Sequence, residues 1–433
     1  MASPTRGGGA IVREEPIGIG IVAAVAALAG AVLGAAAARS RARDEGRNAG
    51  KGRNGTRENG LRRDNGECHG ITVLGHGDAD EVARRMRNKL SASSVDVFAF
   101  YSSLLDAVVT DVAAMAVPIS DHLVHRGHAV FDTCTLRNGQ LHCTEEHIAR
   151  LLKSARDARI HHGFTRASIL RAVQATAKAS GVASASVRFW LGAGPGDFHW
   201  LPERCIEATF YVVVYAEKPN ARVLEPDFEA GLEESTVTPT VPLKPPLLAG
   251  LKSNNYLINC LSGMESYASN ATKGCYGIQV DSEGRVAEGA VCSAMFVFEQ
   301  EDTQAVNGGG EAPVRHLVVT TPRFDGTILA GTTAAAALAL LREASMLGAD
   351  ALDAFLQGGE TRAVVVDARQ SDVIAKDAKV RAKEMILVAG DYKVHAVTRW
   401  DGTAIGGGSV GPIARYLQHA LEARMHAGAG IPV

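Results

Sequence analysis

Leu251-Lys252-Ser253-Asn254-Asn255-Tyr256-Leu257, with Asn259 two residues on, stands between a proline-rich, acidic stretch (217–246) and the start of a helix. The stretch before it reads as a linker between two folded bodies, because its prolines and charges neither propagate a helix nor fill a core. Taken alone, Lys252 is a loop lysine, and three other segments are as ordinary. Upstream lies His125-Arg126-Gly127-His128-Ala129-Val130-Phe131-Asp132-Thr133, followed by Asn138-Gly139 and His147-Ile148-Ala149-Arg150-Leu151. Downstream come Asp281-Ser282-Glu283-Gly284-Arg285-Val286-Ala287-Glu288-Gly289, then Thr321-Pro322, then Leu329-Ala330-Gly331-Thr332-Thr333 at the mouth of a helix. Singly, Glu288 is a turn residue before a glycine and Arg150 a solvated charge. The order of the four segments along one chain is what carries information.

The 433 residues exceed one ordinary core, so two folded units plus extra sequence are expected. A hydrophobic share of 46% and a charged share of 21% suit a soluble globular enzyme. The net charge of −2 offers no field to recruit nucleic acid. Seven scattered cysteines without a C-x-x-C argue against a disulfide framework or a zinc ribbon, and for a reducing compartment.

Periodicity predicts a helix over 78–90 with Val82, Met86 and Leu90 on one face, then a strand over 130–136 turning through Asn138-Gly139. Thr144 is expected to cap a helix whose apolar face is Ile148, Leu151, Leu152 and Ala155. A helix over 165–180 and strands over 187–191 and 209–216 complete this part. Beyond the linker, strands are expected at 276–280, 294–298, 316–320, 363–366 and 385–388, with helices over 332–347 and 412–425. The body is mixed α/β in two domains, 67–217 and 247–433, joined by 218–246.

The first 66 residues differ. Residues 17–38 form an uncharged Ala/Gly/Val/Ile run long enough to cross a bilayer as a helix, and 39–65 are rich in Gly, Asn and Arg and cannot bury a core. Three readings stand: a membrane anchor, an organelle-import leader, or an extension with no address. As an anchor, Arg39, Arg41 and Arg43 would keep the following body cytosolic.

Some apparent motifs carry little. Gly407-Gly408-Ser409-Val410-Gly411 matches a nucleophile elbow, yet no buried strand precedes it and Pro412 suits the first turn of a helix. Gly192-Ala193-Gly194-Pro195-Gly196 follows a strand but enters no helix, so nothing there holds a pyrophosphate. His122, His125 and His128 have no carboxylate or thiol partner at ligand spacing, and no metal site is expected.

Together, the four segments resemble the class IV aminotransferases, the fold-type IV pyridoxal-phosphate enzymes, from about residue 71 to the C-terminus. The likeness is strongest to the plant and algal D-amino-acid aminotransferase-like proteins, through Phe100-Tyr101-Ser102-Ser103, Pro118-Ile119-Ser120-Asp121-His122, Arg188-Phe189-Trp190-Leu191 and Ala193-Gly194-Pro195-Gly196-Asp197-Phe198. The resemblance implies a two-domain α/β fold with pyridoxal 5'-phosphate in the cleft between domains. It implies a homodimer whose pockets borrow loops from the partner. It makes Lys252 the amine that holds the cofactor as a Schiff base and later moves the proton, since a partly desolvated lysine is nucleophilic when neutral. Glu288 fills the position facing the ring nitrogen. Arg150, with Thr332 and Thr333 at a helix start, takes the phosphate, the arginine as a two-pronged cation. Tyr256 is placed to reach the ring oxygen, though one residue nearer the lysine than in the branched-chain enzymes. The implied substrates are a small amino acid, D-configured in the relatives, and a keto acid. Branched-chain transamination, pyruvate elimination from aminodeoxychorismate, and a fold that has lost turnover stand as alternatives. The plant likeness implies a plastid.

Several positions depart from the family. The loop Gly194-Pro195-Gly196-Asp197-Phe198-His199 has no arginine to trap a substrate carboxylate, and Phe131 stands where the bacterial D-amino-acid enzymes have tyrosine. Ser293 replaces an asparagine, Ala334 follows the phosphate threonine, and Asp391 sits where hydroxyl residues often complete the phosphate cup. These changes bear on substrate identity and leave the chemical core in place.

Overall fold

The computed structural model describes residues 67–68, 71–219, 227–270, 274–300, 314–348, 350–357, 362–427 and 430–433. The chain divides into two compact units, Met1–Val73 and Leu74–Val433. In the first, the described residues form one antiparallel pair, Glu67–Cys68 with Ile71–Thr72. The apolar run 17–38 lies outside the described residues. Among the described residues no helix is long and apolar enough to cross a membrane.

The second unit opens with α1 (Ala79–Leu90), whose row of Val82, Met86 and Leu90 forms at helical spacing but stays exposed. Its described residues then build two seven-stranded sheets. The first is antiparallel and contains β1 (Val95–Ser102), β2 (Ala107–Val109), β3 (Ala129–Arg137), β4 (Gln140–His142), β5 (Ala185–Gly192) and β6 (Thr209–Glu217). Across the sheet the order is Ile431–Pro432, β4, β3, β5, β6, β1, β2. Two helices, α2 (Thr144–Asp157) and α3 (Arg166–Ser180), cover one face. Ile148, Leu151, Ile169 and Val173 pack there on Val130, Cys134, Phe189 and Val212. Strand alternation turns Phe131 and Thr133 to the opposite, half-buried face.

Asn138 and Gly139 both adopt positive φ, 51° and 73°, the geometry of a two-residue hairpin whose twist matches its strands. Thr144 does not cap α2. Because β4 runs almost directly into the helix, Cys143 alone makes the turn, in a left-handed conformation (φ 55°), and Thr144 is the first helical residue with its side chain buried. Thr165 does cap α3, through a reciprocal bond with Ser168.

The second sheet comprises β7 (Leu232–Glu234), β8 (Cys292–Glu299), β9 (Arg315–Thr321), β10 (Ala363–Gln370), β11 (Glu384–Ala389) and β12 (Val394–Trp400). Its order is β10, β9, β8, β11, β12 and then Thr403–Ala404, with β7 parallel to β12. Between β7 and β8 in sequence lies the helix α4 (Leu257–Ser269). Both faces of the sheet are covered, so β8 and β11 are apolar nearly throughout. On one side α5 (Thr332–Leu347) and α6 (Pro412–Ala427) pack on Val297, Leu317 and Val319. On the other, Phe296, Leu387 and Trp400 pack on Tyr276, Ile278 and Val286.

The linker belongs partly to this sheet. It supplies β7, whose Glu234 is fully buried and accepts the N–H groups of Cys275 (3.0 Å) and Gly277 (2.9 Å) and the hydroxyl of Ser266 (2.6 Å). Those bonds hold the chain that leads into the hairpin Ile278–Val280 and Val286–Gly289. The serine-containing glycine run at 407–411 is a loop entering α6. Glu384 of β11 caps that helix by accepting the N–H groups of Ile413 and Ala414.

Candidate active site

The two sheets are joined by a short antiparallel splice. The N–H of Phe131 donates to the Lys252 carbonyl (2.9 Å), and the N–H of Asn254 donates to the Ala129 carbonyl (3.0 Å). The loop that carries Lys252 thus pairs antiparallel beside the start of β3, and it leads into α4. Beside it lies a cavity of about 530 Å³, in the usual range for a small-molecule site. Lys252, Tyr256, Glu288, Arg150, Thr332 and Thr333, brought together from separated segments, all line it.

The Lys252 amine sits 4.9 Å from the centre of the Phe131 ring and 3.5 Å from the Tyr256 hydroxyl. Burial pushes its pKa down to about 8, against the opposing pull of Asp132. A neutral, nucleophilic amine is therefore well populated near physiological pH. The Tyr256 ring meets the Phe131 ring edge-on at 5.1 Å, and burial pushes its phenol well up, so it stays a hydrogen-bond donor.

Glu288 projects from the strand Val286–Gly289, buried, and accepts the Leu329 N–H at 3.3 Å. Burial pushes its carboxyl up to about 7, and the Lys244 ammonium, 3.7 Å away, pulls it back down. Gly289 is required beside it, because a β-carbon there would come within 2.5 Å of Cys292 Sγ. The start of α5 faces the cavity with Thr332 and Thr333, and its N-cap, Gly331, makes no side-chain capping bond. A β-carbon on Gly331 would strike Ser293 Oγ at 2.7 Å. Unpaired N–H groups and the helix dipole make such a terminus an anion site. Val388, Ala389 and Gly390 line the same cavity; the Asp391 side chain lies outside the described residues.

Arg150 differs from its expectation. Its fork grips Asp132, with Nε donating to Oδ2 and Nη2 to Oδ1, both at 2.8 Å, and His147 Nδ1 lies 2.9 Å from the same carboxylate. Burial alone would raise the Asp132 pKa, but these hydrogen bonds outweigh it and hold the carboxyl well below the usual range. The Nε and Nη2 edge of the guanidinium is thus engaged by an internal carboxylate.

Sequence reasoning missed four residues at the site: Asp132, His147, Lys244 and Arg188. The guanidinium of Arg188 lies over the Phe131 ring (5.5 Å) and the Tyr215 ring (5.6 Å), and its Nε donates to Thr133 Oγ1 at 3.0 Å. The signal for Asp132 was its place on the core-facing side of β3, where a charge needs a partner. No residue of the 194–199 loop lines the cavity. Gly194 (φ 97°) instead lets that loop pass against the Glu207 carbonyl, which a β-carbon would overlap.

This fold and this amine–carboxylate–helix arrangement define a class. A family model described as amino-transferase class IV matches residues 129–351, and the chain belongs to that family. Over 349 residues it is 37% identical to the chloroplastic D-amino-acid transaminase of Arabidopsis thaliana, covering 80% of this chain and 81% of that one. Among solved structures it resembles the branched-chain aminotransferase of Thermoproteus uzoniensis with norvaline. The TM-score is 0.57 at 17% identity, over 76% of this chain and 95% of that one. The branched-chain aminotransferase of Escherichia coli gives a TM-score of 0.56 at 19% identity, over 76% and 95%. Class IV aminotransferases use pyridoxal phosphate, and the chain is an enzyme of that kind.

The depressed amine yields a pH prediction. Only neutral Lys252 attacks an aldehyde, so uptake of pyridoxal phosphate by the apoprotein should accelerate with rising pH through a midpoint near 8. Borohydride trapping and peptide mapping should then place the label on Lys252. A midpoint near the ordinary lysine value of 10.5, or a label on another lysine, would contradict the assignment.

Proposed function

We propose that this cavity transaminates a small amino acid, of D configuration, with Lys252 as its catalytic residue. The observation that carries the reading is one buried amine and one buried carboxylate, Lys252 and Glu288, in a single cavity capped by a helix N-terminus.

The donor chemistry suits pyridoxal phosphate on three sides. Lys252 supplies an amine for its aldehyde, Glu288 a carboxylate for its ring nitrogen, and the start of α5 a cradle for its phosphate. Any side chain at Gly331 would crowd Ser293 Oγ there. When bound, the cofactor supplies an electron sink for the substrate's α-carbon. Thr332, Thr333 and Arg150 would hold its phosphate, while Asp132 and His147 fix the arginine's orientation. Lys252 then acts as the base and acid that carries a proton at its Nζ, and Tyr256 lies within 3.5 Å to orient that amine.

Because the 194–199 loop stays outside this cavity, the substrate carboxylate needs another cation. Arg188 fits, held rigid between two aromatic rings and lining the cavity. D-configuration rests on the 37% identity to a D-amino-acid transaminase. Purified protein assayed with D- and L-amino-acid panels should turn over D-substrates only when a keto acid is supplied. Pyruvate released from aminodeoxychorismate without an acceptor would instead mark a lyase. Arg188→Met should raise KM for the amino acid about tenfold to a hundredfold, the worth of a charge-assisted contact of roughly 1.5–3 kcal/mol.

The reading includes a homodimer. The loop after β5 exposes Phe198, Trp200, Leu201 and Ile206, and α4 exposes Leu257 and Met264, an apolar display that suits a self-complementary interface. Light scattering should give twice the 45.4 kDa chain mass, and Trp200→Asp with Ile206→Asp should halve it. Residues 1–66 are read as a plastid leader, supported by the chloroplastic relative and by their Gly/Asn/Arg composition. A fluorescent reporter carrying 1–66 should enter plastids, and a diffuse cytosolic signal would refute the address.

A further inference from the structure

The linker brings one unexpected charge into the site. Lys244 is the last residue before Pro245-Pro246, which stiffen the chain into the short helix Pro246–Ala249 and so fix where the lysine side chain starts. Its side chain is only 6% exposed, that of Glu288 only 9%, and their charged ends lie 3.7 Å apart. The same ammonium lies 5.4 Å over the Tyr256 ring. Lys244 also lines a second cavity of about 430 Å³, with Asp281, Arg285, Arg323 and Asp372. Those charges are already committed to one another, Arg285 to Asp281 at 2.7 Å and Arg323 to Asp372 at 2.9 Å. Among the described residues, Glu288 is the one ion-pair partner of Lys244.

A buried carboxyl without a cation takes up a proton and becomes neutral. The groups that act on Glu288 are Lys244 from the linker, Lys252 and Tyr256 from the loop before α4, Cys292 from β8 and the Leu329 N–H before α5. Tyr256 and Cys292 keep their protons under burial and supply no positive charge. Lys252 can neutralise Glu288 only while it is protonated, and it must be neutral to act. One other cation stands beside the carboxyl, the Lys244 side chain at 3.7 Å. We propose that Lys244 is a positioning residue that favours the ionised form of Glu288 in both protonation states of Lys252, and so couples the linker to the electronics of the site.

This rests on the assignment of Glu288 above, and the test separates the two. Full-length Lys244→Met, Lys244→Gln, Lys244→Arg and Glu288→Gln proteins are prepared without cofactor. The infrared band of the protonated Glu288 carboxyl, identified by its loss in Glu288→Gln, is followed against pH. In Lys244→Met the midpoint should lie about 1–3 pH units above that of the unaltered protein, the usual effect of one opposite charge within contact. Lys244→Gln, which keeps length and polarity, should move the same way, and Lys244→Arg should restore the original midpoint. In the loaded proteins, kcat should fall at least about tenfold for Met and Gln, with KM for the amino acid within about twofold, as for an interaction made in the transition state. The pH at which the visible absorbance of the bound cofactor changes should move as well. An unmoved carboxyl midpoint in both Lys244→Met and Lys244→Gln would overturn the role of Lys244. Normal kcat and an unaltered cofactor spectrum in Glu288→Gln would instead remove the assignment of Glu288, and the inference with it.

Discussion

Two backbone hydrogen bonds, Phe131 N–H to the Lys252 carbonyl and Asn254 N–H to the Ala129 carbonyl, set the geometry on which the site depends. They make the lysine loop an extra strand segment of the first sheet, although the residues after it fold with the second. A lysine on a free loop would sample solvent and keep an ordinary pKa. Pinned at its own carbonyl, Lys252 has its amine held over the Phe131 ring and buried within the fields of two carboxylates, Asp132 and Glu288. Burial depresses its pKa, and the two carboxylates pull it the other way.

The rest of the cavity is a balance of buried charges. Each of the two carboxylates has a cation of its own: Arg150 grips Asp132 in a forked pair, and Lys244 stands beside Glu288. Arrangements of this kind are costly to break, because removing one partner leaves a buried charge uncompensated. The pairing also separates roles. Asp132 fixes Arg150 and holds its own charge, while Glu288, raised by burial, is drawn back toward its charged form by Lys244. Small residues complete the design where backbone must approach closely: Gly289 against Cys292, and Gly331 against Ser293.

Most elements are legible where packing is one-sided or continuous. The helix Thr332–Leu347 and the apolar strands of the second sheet follow from local composition, because a helix face or a doubly covered strand imposes its pattern on neighbouring residues. β1 (Val95–Ser102) and β12 (Val394–Trp400) are harder to read, as polar residues such as Asp96, His395 and Arg399 break up their apolar runs. β7 is hidden in a proline-rich stretch, since its three residues gain their order from pairing with β12 and from the bonds of Glu234, none of them local. Thr144 looks like a cap because Ser and Thr usually are. The left-handed turn at Cys143 is imposed by how closely β4 precedes the helix.

What the sequence alone determined was the inventory of chemistry: a lysine after a linker, a glutamate before a glycine, a helix beginning with Gly331-Thr332-Thr333, and an arginine on α2. Motif order was enough for that, because the resemblance attaches each residue type to its place along the chain although each is ordinary alone. Tertiary structure alone decided which charges meet. That Arg150 turns its fork to Asp132, that Lys244 of the linker reaches Glu288, and that Arg188 is held between Phe131 and Tyr215 depend on side chains far apart in sequence. Charge pairing across a cavity is set by the meeting of two sheets, and no periodicity along the chain encodes it.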